Sequence, residues 1–324
     1  MAKKLLIALL FTSYSSILVA QSYAPAAGKE GSTAIAKSSG VFVAWATGIT
    51  VVRGLQDIAN PTGPLASTGA VNDGMRGGTS GNSVVCLGDG GSATLTFDTP
   101  IANGTGFDFA VFENSFSDTF LELAFVEVSS DGVHFFRFPS HSKTQTTTQV
   151  GGFGAVDCTD INNLAGKYRA GFGTPFDLSD IADNALLDKD KITHVKIIDV
   201  IGTIDPLYAS HDSFGNIINE PYSTPFPSGG FDLSGVGVIN QKVLGVSDFD
   251  AASLVLYPNP TTDIVYLTIE QEASIVIYDL SGKIIKKLPK SNYKEIPVSD
   301  LNPGIYLFEV TVEGKKIAKR IVVH

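Results

Sequence analysis

An all-β protein, built as two successive β-sandwich units, is what this sequence predicts. Three observations carry that expectation. The apolar segments are short and separated by turn residues, with 33 glycines and 15 prolines among 324 residues. Hydrophobic residues make up 44% and charged residues 17%, a globular balance rather than a disordered one. About eight to ten short strand-like segments precede the last seventy residues, with few helical patterns, as in a sandwich or jelly roll.

Residues 1–20 come before any fold. Lys3 and Lys4 form a basic start, residues 5–11 are apolar, residues 17–20 resume that run, and Ala20 precedes Gln21. This pattern predicts a secretory signal cleaved after Ala20, with Leu18 standing where a small residue is preferred. No cysteine lies at the cleavage site, which argues against a lipoprotein. No later stretch reaches about 18 uninterrupted apolar residues, so no transmembrane segment is expected in the mature chain.

The body is expected to span residues 21–241. A small, Gly- and Ala-rich arm leads to a first strand at 41–45. Residues 60–83 are rich in Gly, Ser, Thr and Asn and read as a long loop, a place where function often resides. Strands are expected at 92–97, 107–112, 121–128, 133–138, 194–200 and 236–240. The turn Ser130-Asp131-Gly132 joins the third and fourth of these as a hairpin. Short helices are expected at 159–164 and 178–184. Strand pattern is lost across 242–251, which reads as a linker. Residues 252–324 then carry strands at 254–257, 264–269, 274–279, 304–312 and 317–323, with turns at 281–283 and 313–315.

Charge divides along the same boundary. Residues 21–251 hold 12 basic and 25 acidic residues, a net of −13, whereas residues 252–324 hold 9 and 8. So acidic a body repels phosphate backbones, which argues against a nucleic-acid partner.

The last segment contains Leu256-Tyr257-Pro258-Asn259-Pro260, Asp263, and Ile277-Tyr278-Asp279-Leu280-Ser281-Gly282-Lys283. Leu301-Asn302-Pro303-Gly304-Ile305-Tyr306 and Lys319-Arg320-Ile321-Val322-Val323 follow. In order and spacing these pieces resemble the type A C-terminal sorting domain of type IX secretion cargo. That resemblance implies a small immunoglobulin-like sandwich read by the type IX secretion machinery, a Bacteroidota-type source, and a cell-surface or secreted destination. Tyr257, Pro258, Asn259, Pro260, Gly282, Lys283, Gly304, Tyr306 and Lys319 carry the implied signal. In the body, residues 107–114, 125–132 and 229–233 resemble pieces of uncharacterised bacterial cell-surface proteins. The hairpin at 126–132 looks like that of galactose-binding-like jelly rolls.

Catalytic motifs are absent from the sequence. No serine fits Gly-x-Ser-x-Gly, and none of His134, His141, His194, His211 and His324 has zinc spacing. No catalytic residue is therefore assigned, although a glycosidase needs only two well-placed acids, and 33 acids make that condition easy to meet. Gly88-Asp89-Gly90-Gly91-Ser92-Ala93 fits a dinucleotide pattern, but a strand follows where a helix is required. Calcium takes six to eight oxygens, and Asp108, Glu113, Asn114 and Asp232 are the candidate ligands for a structural ion. On a regular strand Asp108 and Glu113 face opposite ways, so a bulge or a strand end must intervene. Trp45, Arg53, Tyr208, His211, Asp212, Phe214 and Tyr222 are candidate ligand-binding residues, five of them on the strand-poor segment 202–230. Cys86 and Cys158 either form a disulfide in an oxidising compartment or stay as buried thiols.

The function expected is non-catalytic capture of a glycan or another small nutrient at or beyond the cell surface. A secreted carbohydrate-active or other hydrolase, and a structural or adhesive surface protein, are the alternatives.

Overall fold

The computed structural model describes residues 22–76, 83–241, 254–269, 271–312 and 315–324. The expected signal at 1–20 and the expected linker at 242–251 fall outside them. The chain divides into two compact units, Met1–Lys242 and Val243–His324.

The body opens with β1 (Ile35–Ala36), β2 (Ala44–Trp45), β3 (Gly48–Val52), β4 (Val85–Cys86), β5 (Ser92–Ile101) and β6 (Phe109–Phe112). It continues with β7 (Ala124–Ser129), β8 (Phe136–Arg137), β9 (His141–Ser142) and β10 (Ile161–Asn162). β11 (Phe172–Phe176), β12 (Ile192–Asp199), β13 (Asp232–Leu233) and β14 (Gly235–Val238) complete it. One five-stranded sheet runs β1-β11-β6-β14-β2 and a second runs β3-β5-β12-β7-β8. Every pairing in both is antiparallel.

The two sheets share one core. Phe109, Val111, Phe176, Val236 and Val238 come from the first; Leu95, Phe97, Val126, Val128, Val195 and Ile197 come from the second. β5 shows the pattern that builds such a layer: Ala93, Leu95 and Phe97 are buried and the residues between them are not. β12 lies between β5 and β7, pairing Ile197 with Ala93 on one side and Val126 on the other.

The sequence-expected hairpin is present, with Glu127 opposite Arg137 and Gly132 at φ +76°. The expected helices are single 3₁₀ turns at Cys158–Asp160 and Leu178–Asp180, each capped by the aspartate before it. A cap and one turn are local signals that resemble a helix start, but neither segment continues with a helical apolar stripe. Among the described residues, no helix is long and apolar enough to cross a membrane.

The second unit holds β15 (Leu256–Tyr257), β16 (Ile264–Leu267), β17 (Ala273–Asp279), β18 (Ile284–Ser291), β19 (Glu295–Pro297), β20 (Gly304–Val312) and β21 (Lys315–Val323). Its sheets run β15-β16-β19 and β18-β17-β20-β21 and share their own apolar core, with Ile275, Ile277, Phe308 and Val310 fully buried.

Candidate functional site

Glu113 is the first residue beyond β6, Glu122 lies two residues before β7, and Asp232 opens β13. The sheet brings these distant positions together. β14 pairs beside β6 with Gly235 opposite Phe112, and β13 pairs with β4 so that Asp232 faces Cys86. Gly166 lets the backbone approach from the other side. It sits at φ +82°, and a Cβ there would lie 1.8 Å from the Glu122 carbonyl oxygen.

One carboxylate oxygen from each of Glu113, Glu122 and Asp232 lies within 4.8 Å of the others. All three residues are buried, at 2%, 7% and 8% exposure. Glu113 accepts from the Ser115 N–H at 2.6 Å. Asn114, turned so that its nitrogen faces the acids, donates to Glu113 at 3.0 Å and to Asp232 at 3.2 Å. The remaining valences go unmet: Asp232 Oδ1 is buried without a hydrogen-bond partner. Among the described residues, no salt bridge involves any of the three.

Burial and like charge act in the same direction here. Burial, then the neighbouring Asp232 carboxylate, push Glu113 well above the usual carboxylate range. Burial, then Glu113 and Asp232, do the same to Glu122. Asp232 is pushed up to about 6 by burial, against the pull of the Cys86 thiol, Asn114 and Arg53. Asp199 and Glu220 are also buried and raised. These two hold backbone donors, however. Asp199 accepts from Gly90 and Phe231, and Glu220 from Leu123.

Above the acids is a cavity of about 300 Å³ with Glu122, Asp232 and Asn114 in its lining. Its walls are aromatic. Phe116 stacks on Phe120 at 4.4 Å between ring centroids, and Phe153 lies 6.1 Å from both Phe120 and Phe226. Phe116 and Phe153 are 71% and 75% exposed.

One reading of the sequence is corrected here, and one left open is decided. Asp108 does not join Glu113, Asn114 and Asp232. It precedes β6 whereas Glu113 follows it, so the two acids mark opposite ends of that strand, roughly 16 Å of extended chain apart. The Asp108 carboxylate accepts from Gly104 N–H at 2.7 Å, Leu178 N–H at 2.8 Å and Asn240 Nδ2 at 2.9 Å. Cys86 and Cys158 are both buried free thiols. They belong to different parts of the body. Cys86 pairs with Asp232 on β13, and Cys158 packs in a separate cluster with Leu121, Ile161 and Val200.

None of the seven expected ligand-binding residues lines this cavity. Trp45 packs between Phe42 and Phe112, with Lys37 over its ring at 5.7 Å. The Arg53 guanidinium donates to the carbonyls of Thr68, Gly69 and Cys86 and so pins the loop after β3. Asp212 accepts from Phe214, Asn216 and Ser142 and holds its own turn. His211 bridges to Ile217 across that turn, and Phe214 stands 70% exposed against His141. Tyr208 is half-buried, and the Tyr222 hydroxyl donates to Asp57 at 2.8 Å. The segment 202–230 does reach the cavity, through Thr224, Phe226 and Ser228. Sequence reasoning missed Glu122 and the four phenylalanines. Glu122 sits inside an apolar run, Leu121-Glu-Leu-Ala-Phe125, where an isolated acid is itself the signal.

In the second unit, several of the residues expected to carry the sorting signal hold the ends of the domain together. Asn259 donates from Nδ2 to the Arg320 carbonyl and accepts from the Val322 N–H, at 2.8 and 2.9 Å. Tyr306 donates to the Asn302 carbonyl, and Gly282 takes φ +84° in the turn that Asp279 closes by accepting from Ser281 and Lys283. Lys319 faces Phe308 across β20 and β21, and Gly304 faces Val323. Residues 255–324 match the family described as "Secretion system C-terminal sorting domain". This unit is a type IX secretion sorting domain. The chain is therefore cargo of that machinery, exported to the cell surface or the extracellular space.

Comparison of the chain with curated protein sequences returned no match. Among solved structures, the chain is similar to "Biofilm associated protein - BSP domain" at 10% identity and TM-score 0.20, covering 72% of this chain and 48% of that one. It is also similar to a β-glucuronidase from Ruminococcus gnavus in complex with an N1-substituted uronic isofagomine, at 10% identity and TM-score 0.23, covering 89% and 48%. For a Faecalibacterium prausnitzii β-glucuronidase the values are 14%, 0.18, 86% and 44%. The chain spans less than half of each of these structures, and likeness at this level carries no argument about fold or activity.

Proposed function

We propose that the exported body is a non-catalytic binding protein that captures a glycan or another small nutrient in the phenylalanine-walled cavity. One observation carries this reading. Phe116 and Phe153 hold large apolar surfaces in solvent beside a recess whose floor is made of buried carboxylates. Exposed aromatic faces suit the C–H face of a sugar or the plane of a ring, and acids below them accept hydrogen bonds from hydroxyls. An adhesive surface needs no such recess. A hydrolase needs paired carboxyl groups about 5–5.5 Å apart or wider. Three carboxylates, each with one oxygen within 4.8 Å of the others, form a compact cluster that suits a shared ion.

The test is a glycan and cofactor binding screen on the full chain lacking only its first 20 residues. A Phe116→Ala/Phe153→Ala variant should bind its hit at least about tenfold more weakly while its melting temperature stays within a few degrees. A hit that binds the double variant equally well would move the site elsewhere. Hydrolysis of chromogenic glycosides that disappears in Glu122→Gln would favour the hydrolase instead.

A further inference from the structure

We propose that the cavity floor is a calcium site, in which Glu113, Glu122, Asp232 and the Asn114 amide oxygen hold the ion and its remaining coordination positions open to the cavity.

Geometry and unmet hydrogen bonds point there independently. The three carboxylates arrive from three separate strand ends, yet one oxygen of each lies within 4.8 Å of the others. Oxygens bound to calcium at 2.3–2.6 Å lie up to about 5 Å apart across the ion. Neither a thiol nor an imidazole joins the group, and Cys86, although it neighbours Asp232, is not part of it. An all-oxygen set of flexible carboxylates suits calcium, whereas zinc favours sulfur and nitrogen, and magnesium demands a small octahedron rich in water.

The second argument is what these acids lack. Asp232 Oδ1 is fully enclosed without a donor, in a residue that is 8% exposed. No donor among the described residues hydrogen-bonds the Glu122 carboxylate, which is 7% exposed and lines the cavity. The other deep acids of the body are treated differently. Asp108, Asp199 and Glu220 each receive backbone N–H groups. A buried carboxylate without a donor or an ion-pair partner is either held protonated or neutralised by a cation, and three such acids converging on one point suit the cation. Asn114 fits either state. With its nitrogen inward it bridges two acids, and with its oxygen inward it adds a ligand.

Three monodentate carboxylates and one amide supply four oxygens, below the six to eight that calcium takes. The positions left over face the cavity, because Glu122, Asp232 and Asn114 all line it. A ligand oxygen seated against the phenylalanines would complete the sphere. That last step alone rests on the cavity being the binding site.

The experiment uses the exported chain stripped with EDTA, and calcium chloride alone as the probe. At about a hundredfold excess over its dissociation constant, calcium should raise the body's melting temperature by roughly 5–10 °C, with little response to magnesium. Glu122→Gln should abolish that shift, yet melt no lower than wild type without calcium, because the amide has nearly the same shape and cannot ionise beside the other two acids. A merely structural Glu122 would instead lower the metal-free melting temperature. Terbium(III), substituted for calcium, should show two or more bound waters from its emission lifetimes in H2O and D2O. No shift in wild type at millimolar calcium overturns the site, and so does a shift retained in Glu122→Gln. A closed terbium sphere overturns the open face. Phe153→Ala separates this site from the ligand reading: it should keep the calcium shift even where ligand binding is lost.

Discussion

Replacing Asp108 with alanine separates a structural acid from a metal ligand. The sequence pattern groups Asp108 with Glu113 and Asp232, whereas the structure makes it a strut at the other end of β6. Its carboxylate ties together three segments: the loop before β6 through Gly104, the 3₁₀ turn through Leu178, and the exit of β14 through Asn240. Leu178 is fully buried, so its N–H would be left without any partner, at about 1–3 kcal/mol. Gly104 and Asn240 are near solvent and can recruit water, losing about 0.5–1 kcal/mol each. Asp108→Ala should therefore destabilise the body by about 2–5 kcal/mol. Asp108→Asn should cost less, because its carbonyl still accepts from one side while its amide meets a donor on the other. Trp45 is the chain's single tryptophan, so its fluorescence during urea unfolding follows the body and not the sorting domain. The calcium response of the folded variant should be unchanged. A midpoint shift worth less than about 1 kcal/mol, or loss of the calcium shift at unchanged stability, would refute the strut.

Two further outcomes follow from the buried groups. Burial raises Asp89 to about 6, against the single hydrogen bond it accepts from Ile58 N–H. A folded-state value above the unfolded one means that its contribution is fully present below about pH 4 and is lost as pH rises through about 6. For a shift of about two units the loss approaches 3 kcal/mol. Metal-free protein should thus unfold at lower urea at pH 7.5 than at pH 4.5, and Asp89→Asn should flatten that slope. Identical slopes in the two proteins would sink the assignment. Thiol titration should find two free cysteines per chain in denaturant without reductant, and little reaction in the native state, since both thiols are buried and raised by burial. A count of zero in denaturant would restore the disulfide.

The strands were readable where one face is buried. Residues 92–97, 121–128 and 304–312 alternate or run apolar in sequence, and β5, β7 and β20 occupy much the same positions. The first strand, expected over 41–45, shortens to Ala44–Trp45, which face Val238 and Gly237 in the β14 ladder; upstream, Val43 adds one N–H bond to the Val238 carbonyl. Propensity marks a segment that can extend; pairing depends on a neighbour that the local sequence does not name. The turns beginning at Cys158 and Leu178 show the same limit from the other side, since each has a helix-like cap and no helical apolar stripe after it.

The site was legible only in part, for a reason of geometry. Two of its acids lie beside glycines or at a strand end and so attract notice as loop residues, Asp232 after Gly229-Gly230 and Glu113 beside Asn114. The third, Glu122, lies in an apolar run and becomes a partner only because Gly166 admits the backbone that carries it. Parity along β6 marked a difficulty in joining Asp108 to Glu113, yet it did not say which of the two the other strands would join. That choice is made by register. Gly235 opposite Phe112 and Asp232 opposite Cys86 carry Asp232 to the Glu113 end. A one-residue slip of β13 against β4 would turn Asp232 to the opposite face and put an apolar neighbour, Phe231 or Leu233, in its place. The cavity floor therefore depends on pairings between segments more than a hundred residues apart, and it should fail as a unit: Gly166→Ala, at a position where no Cβ fits, should displace Glu122 and weaken the calcium response with no ligand atom altered.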